Sequence, residues 1–256
     1  MGLMEAALLL VAGLAAGIVN AIAGGGSLIT FPTMLAIGIP PVSANVSNAL
    51  SVAPGYASSV VGSRADLNGQ GGRILRIVPT ALAGAACGCV LLLSTPRDLF
   101  DYVVPFLVLG ATMTLAFQAR LRALVGHPRE VSPVRATVML HTAVFLCALY
   151  GGYFNAALGV LLVAGLALVL DETLARVSAL KNLLSAVVGV VTVLVYSIFG
   201  PVDWAAVAMV APATVVGGYL GARLARLLSA RVLRVVIVTF GTAVGLWLLV
   251  RVLFLS

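Results

Sequence analysis

The residues of this sequence that could do chemistry lie where apolar runs are interrupted. The most informative stretch is Asn20-Ala-Ile-Ala-Gly24-Gly25-Gly26-Ser27-Leu-Ile-Thr30-Phe-Pro32, three consecutive glycines with a proline following at helical distance. Both residue types oppose a continuous helix, so the spacing predicts a helix that breaks after Asn20 and restarts near Ser27. Glycines let a ligand approach the main chain. The restarted helix would aim its free N–H groups and positive dipole end at that ligand, a chemistry that suits an anion. A tight turn between two packed helices is the alternative. The later run Asn155-Ala-Ala-Leu-Gly159-Val keeps the Asn but one glycine, so a site built from both runs is expected to be asymmetric.

Ser43-Ala-Asn45-Val-Ser47-Asn48-Ala-Leu-Ser51 collects its polar groups toward one side of a helix, and Ser178-Ala-Leu-Lys181-Asn182-Leu-Leu-Ser185 is its later counterpart. Such Asn and Ser side chains either bind substrate or join helices by hydrogen bonds. Asp171, Glu172 and Thr173 read as a helix start, which puts Lys181 about 12 Å along that helix at 1.5 Å per residue. An ammonium at that depth is a functional candidate, against snorkelling or an ion pair with Asp171 or Glu172. The expected substrate-binding residues are thus Asn20, Gly24, Gly25, Gly26, Ser27, Asn45, Ser47, Asn48, Asn155, Lys181, Asn182 and Ser185.

Other chemistries find little support. His141 has no second His, Asp or Glu at ligand spacing, so packing or one buried hydrogen bond is expected rather than a metal. Cys87, Cys89 and Cys147 lie in apolar helices without zinc or redox spacing and read as small buried hydrophobes. No nucleophile or acid–base grouping is visible, so no enzyme activity and no cofactor are expected. The acids sit near helix ends, and a carboxylate relay for protons is not evident.

The elements that must position these groups are membrane helices. Of 256 residues, 62% are apolar and only 9% charged, against roughly 25% charged in a soluble domain. Leu3 to Ile22, Val78 to Leu93, Val103 to Phe117, Ala136 to Tyr150, Leu183 to Phe199, Trp204 to Leu220 and Val232 to Leu255 are apolar over crossing or near-crossing length, where about 20 residues are needed. Before its apolar run the N-terminus carries Glu5 and no basic residue, so it reads as a retained helix rather than a signal peptide. The net charge of +7 reflects basic residues between apolar runs, and no nucleic-acid partner is expected.

The chain repeats itself. Gly17-x-x-Asn20-Ala21 matches Gly152-x-x-Asn155-Ala156, Asn48-x-x-Ser51 matches Asn182-x-x-Ser185, and Pro79-x4-Gly84-x3-Gly88 matches Pro212-x4-Gly217-x3-Gly221. Each half reads as a first helix, a break, a short return (Ser27 to Gly38 in the first half), then three crossings near 43–62, 73–93 and 99–118, and again 174–199, 203–227 and 231–254. Whether or not the first pair crosses fully, three further crossings make each half odd, so the second half must be inverted. The expected organisation is a first repeat over 1–120, a cytoplasmic linker over 121–135 and an inverted second repeat over 136–256, one all-α polytopic membrane domain. The glycine pairs are expected to pack helices closely. Of the 15 Lys and Arg, setting aside the helix-embedded Lys181, only Arg97 and Arg251 fall on the other face from the remaining 12, which predicts both termini outside the cytoplasm.

At Gly17-x-x-Asn20-x-x-Ala23-Gly24-Gly25-Gly26-Ser27-x4-Pro32 and Ala44-x3-Asn48, the sequence resembles the TauE/SafE family of sulfite exporters and related permeases. The resemblance implies a bacterial inner-membrane carrier for sulfite, sulfonates or similar anions. Scarce titratable groups lean toward export, because a negative interior favours expelling one anionic charge by about 2.3 kcal/mol per 100 mV. Proton-coupled uptake of sulfur compounds or carboxylates, and a cation carrier or channel, remain the alternatives. The expected partners are a small anion and the lipid bilayer, with a homodimer left open.

Overall fold

The computed structural model describes residues 2–22, 25–117, 120, 132–167, 169–224 and 230–254. Among them the chain is helical without strands: α1 (Leu3–Ile22), α2 (Ser27–Ala36), α3 (Pro41–Gly62), a 3-10 turn (Arg64–Leu67), α4 (Gly71–Ser94), α5 (Arg97–Ala116), α6 (Pro133–Tyr153), α7 (Leu158–Ala167), α8 (Leu174–Phe199), α9 (Trp204–Leu224) and α10 (Ala230–Phe254). Residues 121–131 of the expected linker lie outside the described residues.

Seven described helices are long and apolar enough to cross a membrane: α1, α4, α5, α6, α8, α9 and α10. Val90, Val190, Leu194, Ile198 and Val236 stand exposed on their outer faces, where lipid rather than water satisfies them. With 22 residues α3 is long enough too, but it is the polar helix, and Ala44 to Ala53 are buried without interruption. A helix surrounded by protein need not be apolar, and α3 spends its polar positions inward. The ten-residue helices α2 and α7 are likewise buried, with Leu28, Phe31 and Met34 of α2 in one apolar cluster with Phe100, Val104 and Leu115 of α5, and Leu158, Leu162 and Leu166 of α7 packed on α6 and α8.

The helices of the two halves interleave. The first helix of each half packs along the fourth of the other, α1 on α9 and α6 on α4; α3 packs on α8 and on α9, α8 on α4, and α5 on α10. Exchanging α1–α5 with α6–α10 in order maps α1–α9 onto α6–α4 and α3–α9 onto α8–α4, and leaves α3–α8 and α5–α10 unchanged. Glycines permit the closest approaches: a Cβ at Gly217 would drive into the Leu14 carbonyl, and one at Gly88 into the Leu149 carbonyl. Leu14 and Leu149 correspond, so Gly88 holds the place of Gly217. The expected pairing of Gly84 with Gly217 is therefore one helical turn out of register, although all four glycines do pack against neighbouring backbone.

Candidate functional site

The first break forms where the glycines predict it. After α1 ends at Ile22, Gly25 adopts φ +95°, a left-handed conformation that costs a residue with a Cβ about 1–2 kcal/mol. Gly26 then lies so close to Ala16 that a Cβ would enter its carbonyl, so the chain has doubled back by more than a turn before α2 begins at Ser27. Asn20 holds this geometry, its Oδ1 accepting the Gly26 N–H at 2.8 Å. Gly24 lies outside the described residues.

The second break, Phe154 to Ala157, achieves the same reversal without glycine. Asn155 (φ 61°) and Ala157 (φ 57°) are both left-handed, and the single glycine of that run, Gly159, sits inside α7. Left-handed Ala has no side chain to compensate it, and such residues persist where their surroundings over-determine them, at about 1–3 kcal/mol each. Here Tyr150 donates to the Ala156 carbonyl at 2.8 Å, and Asn45 Nδ2 donates to the Tyr153 carbonyl at 2.8 Å. Tyr196 of α8 donates to the Gly152 carbonyl.

The two breaks face each other. Phe31 of α2 meets Phe154 edge-on with ring centroids 5.3 Å apart, and Phe100 lies against Tyr153 and Phe154. Tyr56 of α3 reaches Asn155 Oδ1 at 3.3 Å, with the Ser27 hydroxyl beside it but outside hydrogen-bond geometry. Thr30 of α2 donates to Asn48 Oδ1. Asn45, Asn48 and Tyr56 occupy one stripe of α3, at i, i+3 and i+11, and that stripe joins both breaks. Tyr56 and Thr30 escaped the sequence reading, although Tyr56 continues the Asn45–Asn48 spacing.

What this arrangement offers a ligand is a set of unspent polar atoms. The Nδ2 groups of Asn20, Asn48 and Asn155, the hydroxyls of Ser27 and Ser185, and the Asn45 Oδ1 are buried without a hydrogen-bond partner. The Asn20 amide is oriented by its backbone donor, so its NH2 is the free group. Three of these groups can only donate, two can do either, and one can only accept. A buried polar group left unmatched costs about 1–3 kcal/mol, so the unmatched groups of Asn20, Ser27, Asn45, Asn48 and Asn155, all at or bonded to the two breaks, mark a place suited to a polar ligand.

Ser47 and Asn182 are engaged elsewhere. Ser47 Oγ accepts the Asp203 N–H at 2.8 Å, and Asp203 in turn caps Ala206 at the start of α9, so Ser47 fastens the α8–α9 connection. Asn182 Nδ2 donates to Ser63 Oγ at 3.1 Å and lines a cavity of about 530 Å³ with Ser59, Asp66 and Ser178. Ser63 is about 22 Å along α3 from Asn48 at 1.5 Å per residue, so the matched pair Asn48 and Asn182 is not brought together. Lys181 is buried in α8, one turn before Ser185. Thr173 caps α8 as expected, with its side chain accepting from the Arg176 N–H. Glu172 binds Arg73 at 2.9 Å and Arg176 at 2.8 Å, and the Arg73 hydrogen bond holds its carboxyl below the usual carboxylate range. His141 Nδ1 makes one hydrogen bond, to Thr80 Oγ1 at 2.7 Å, and no metal-holding cluster occurs among the described residues.

With this geometry in view, comparison with known proteins is decisive for the family. The model of the sulfite exporter TauE/SafE family matches residues 9–248. A probable membrane transporter protein of Sinorhizobium sp, ORF9, is 28% identical over 95% of this chain and 92% of its own length. The probable membrane transporter YfcA of Escherichia coli K12 is 26% identical over 82% of this chain and 75% of its own. A probable membrane transporter of Haemophilus influenzae is 25% identical over 85% and 84%. No solved structure matches the chain. The chain belongs to the sulfite exporter TauE/SafE family and is a multi-pass membrane transporter.

Proposed function

We propose that the protein carries a small oxyanion, sulfite or an organosulfonate, through a site at the meeting of the two broken helices. The observation that carries this reading is the buried set of unspent donors, the amides of Asn20, Asn48 and Asn155 with the hydroxyls of Ser27 and Ser185. An oxyanion accepts from all five; a cation is offered only the Asn45 Oδ1 and the two hydroxyls. The restarts of α2 and α7 add dipole ends of favourable sign. Buried Lys181 adds the positive charge that opposes a cation.

The interchangeable pairings of α1–α9 with α6–α4 support two related halves, and the odd number of crossings in each half, with Lys and Arg concentrated on one face, supports their opposite orientation in a bacterial inner membrane with both termini periplasmic. Alternating access then rocks one half against the other around the fixed site. The cavity beside Asn182 and Ser63 is the entry on the arginine-rich side. A negative interior favours export of an anion by about 2.3 kcal/mol per charge per 100 mV.

Solid-supported-membrane currents from proteoliposomes test this. Sulfite is expected to give saturable currents with and without a pH gradient, and sulfonates to compete. Currents that require a proton gradient would turn the reading to coupled uptake, and cation-selective currents would overturn it.

A further inference from the structure

A second polar concavity lies away from the two breaks, where α4 and α6 begin side by side at the arginine-rich end. Arg73, Arg76, Thr137 and His141 line a cavity of about 360 Å³, with Gly72 at its mouth. Arg73 is held in place by Gln70 and Glu172, and His141 is fixed by its Nδ1 contact to Thr80. Arg76 is exposed. Gln70 places no side-chain cap on α4, so the first-turn N–H groups of that helix open at the same end. The same first turns of α4 and α6 also carry exposed aliphatic side chains: Leu75 and Val134 are 76% and 74% exposed, and Val138 follows Val134 one turn on.

Basic groups and a helix start above exposed aliphatic side chains match an amphiphile with an anionic head. We propose that this concavity binds the phosphate of an anionic phospholipid, with Arg76 as its main charge contact and the acyl chains along Leu75, Val134 and Val138. A soluble phosphate would use the same basic groups but gain nothing from the apolar flank. Basic pockets between membrane helices take acidic lipid head groups by this chemistry. The site is independent of the transported anion, because none of its residues belongs to the breaks.

Native mass spectrometry of the full-length protein tests it, with phosphatidylglycerol, phosphatidylcholine and glycerol 3-phosphate as probes. Phosphatidylglycerol is expected to be retained over phosphatidylcholine. Arg76→Gln is expected to cut that retention about fivefold, the worth of one basic contact at a membrane surface. Arg76→Lys should keep most of it, and Arg135→Gln, whose side chain is exposed outside the cavity, should keep all. Equal losses in Arg76→Gln and Arg135→Gln, or none in either, would overturn the site. Arg76-dependent binding of glycerol 3-phosphate without lipid preference would support the phosphate chemistry and overturn the lipid as its source.

Discussion

Asn20→Asp separates the two jobs that Asn20 performs. Its Oδ1 accepts the Gly26 N–H at 2.8 Å and so holds the break, a task that a carboxylate oxygen in the same place also performs. Its Nδ2 is buried without a partner and is one of three amide groups that can only donate. The substitution therefore keeps the break and reverses the polarity of one ligand contact. A hydrogen bond to a charged ligand is worth about 1.5–3 kcal/mol, so loss of the donor alone predicts a roughly 10- to 150-fold weaker half-saturation for sulfite. Repulsion between the anion and the introduced carboxylate adds to that loss. The readout is the concentration dependence of sulfite currents, beside the melting temperature in detergent, which should fall because the second carboxylate oxygen is buried without a donor. Asn20→Ala loses the Gly26 bond too and should likewise lower both stability and transport. Half-saturation within about twofold of the parent in Asn20→Asp would refute the reasoning, because the donor would then face no anion.

Tyr56→Phe removes the hydroxyl between Asn155 and Ser27, and is expected to cost about 0.5–1.5 kcal/mol in apparent sulfite affinity with little change in melting temperature. Lys181→Met keeps length and apolar volume while removing the charge; sulfite currents should be abolished with the fold retained, and unaffected currents would remove Lys181 from the site. Gly26→Ala should abolish transport and depress expression, since its Cβ collides with the Ala16 carbonyl, whereas Gly38→Ala, whose Cβ meets nothing within 4 Å, should cost only its left-handed strain. Because Arg73 depresses the Glu172 carboxyl, the folded form binds that proton less readily than the unfolded one. Its stabilisation is present above the ordinary value of 4.5 and lost as pH falls through the lowered folded value; thermal melts from about pH 7 to about pH 3 should show that loss, and Glu172→Gln should remove it.

Much of the fold is written in apolar run length and in where glycine and proline interrupt it. The start of α2 at Ser27 follows from three glycines, and the start of α8 from Thr173 as a cap. The second break was legible only as a weak echo, because Asn155 and Ala157 reach left-handed backbone without the residue that advertises it. The α4–α9 register slipped by a turn because Ala85 and Thr214 can face a neighbouring backbone at the equivalent close approaches to Gly152 and Gly17, so small residues do not fix a register. Within α3, periodicity finds the polar side but not the neighbour at each height: Asn48 meets α2, while Ser47 fastens a connection. Tyr56 carries no signal of its own, since an aromatic in an apolar run usually packs in a core; its role is set by Asn155, distant in sequence.

The site itself is tested most directly by a crystal structure with selenite, which has the charge and shape of sulfite and an anomalous signal. The account predicts one selenium peak between the breaks, within hydrogen-bond reach of the Asn20 and Asn155 amides and close to the Tyr56 hydroxyl. Selenium only in the Asn182–Ser63 cavity or beside Arg76, with the breaks empty at saturating selenite, would contradict it.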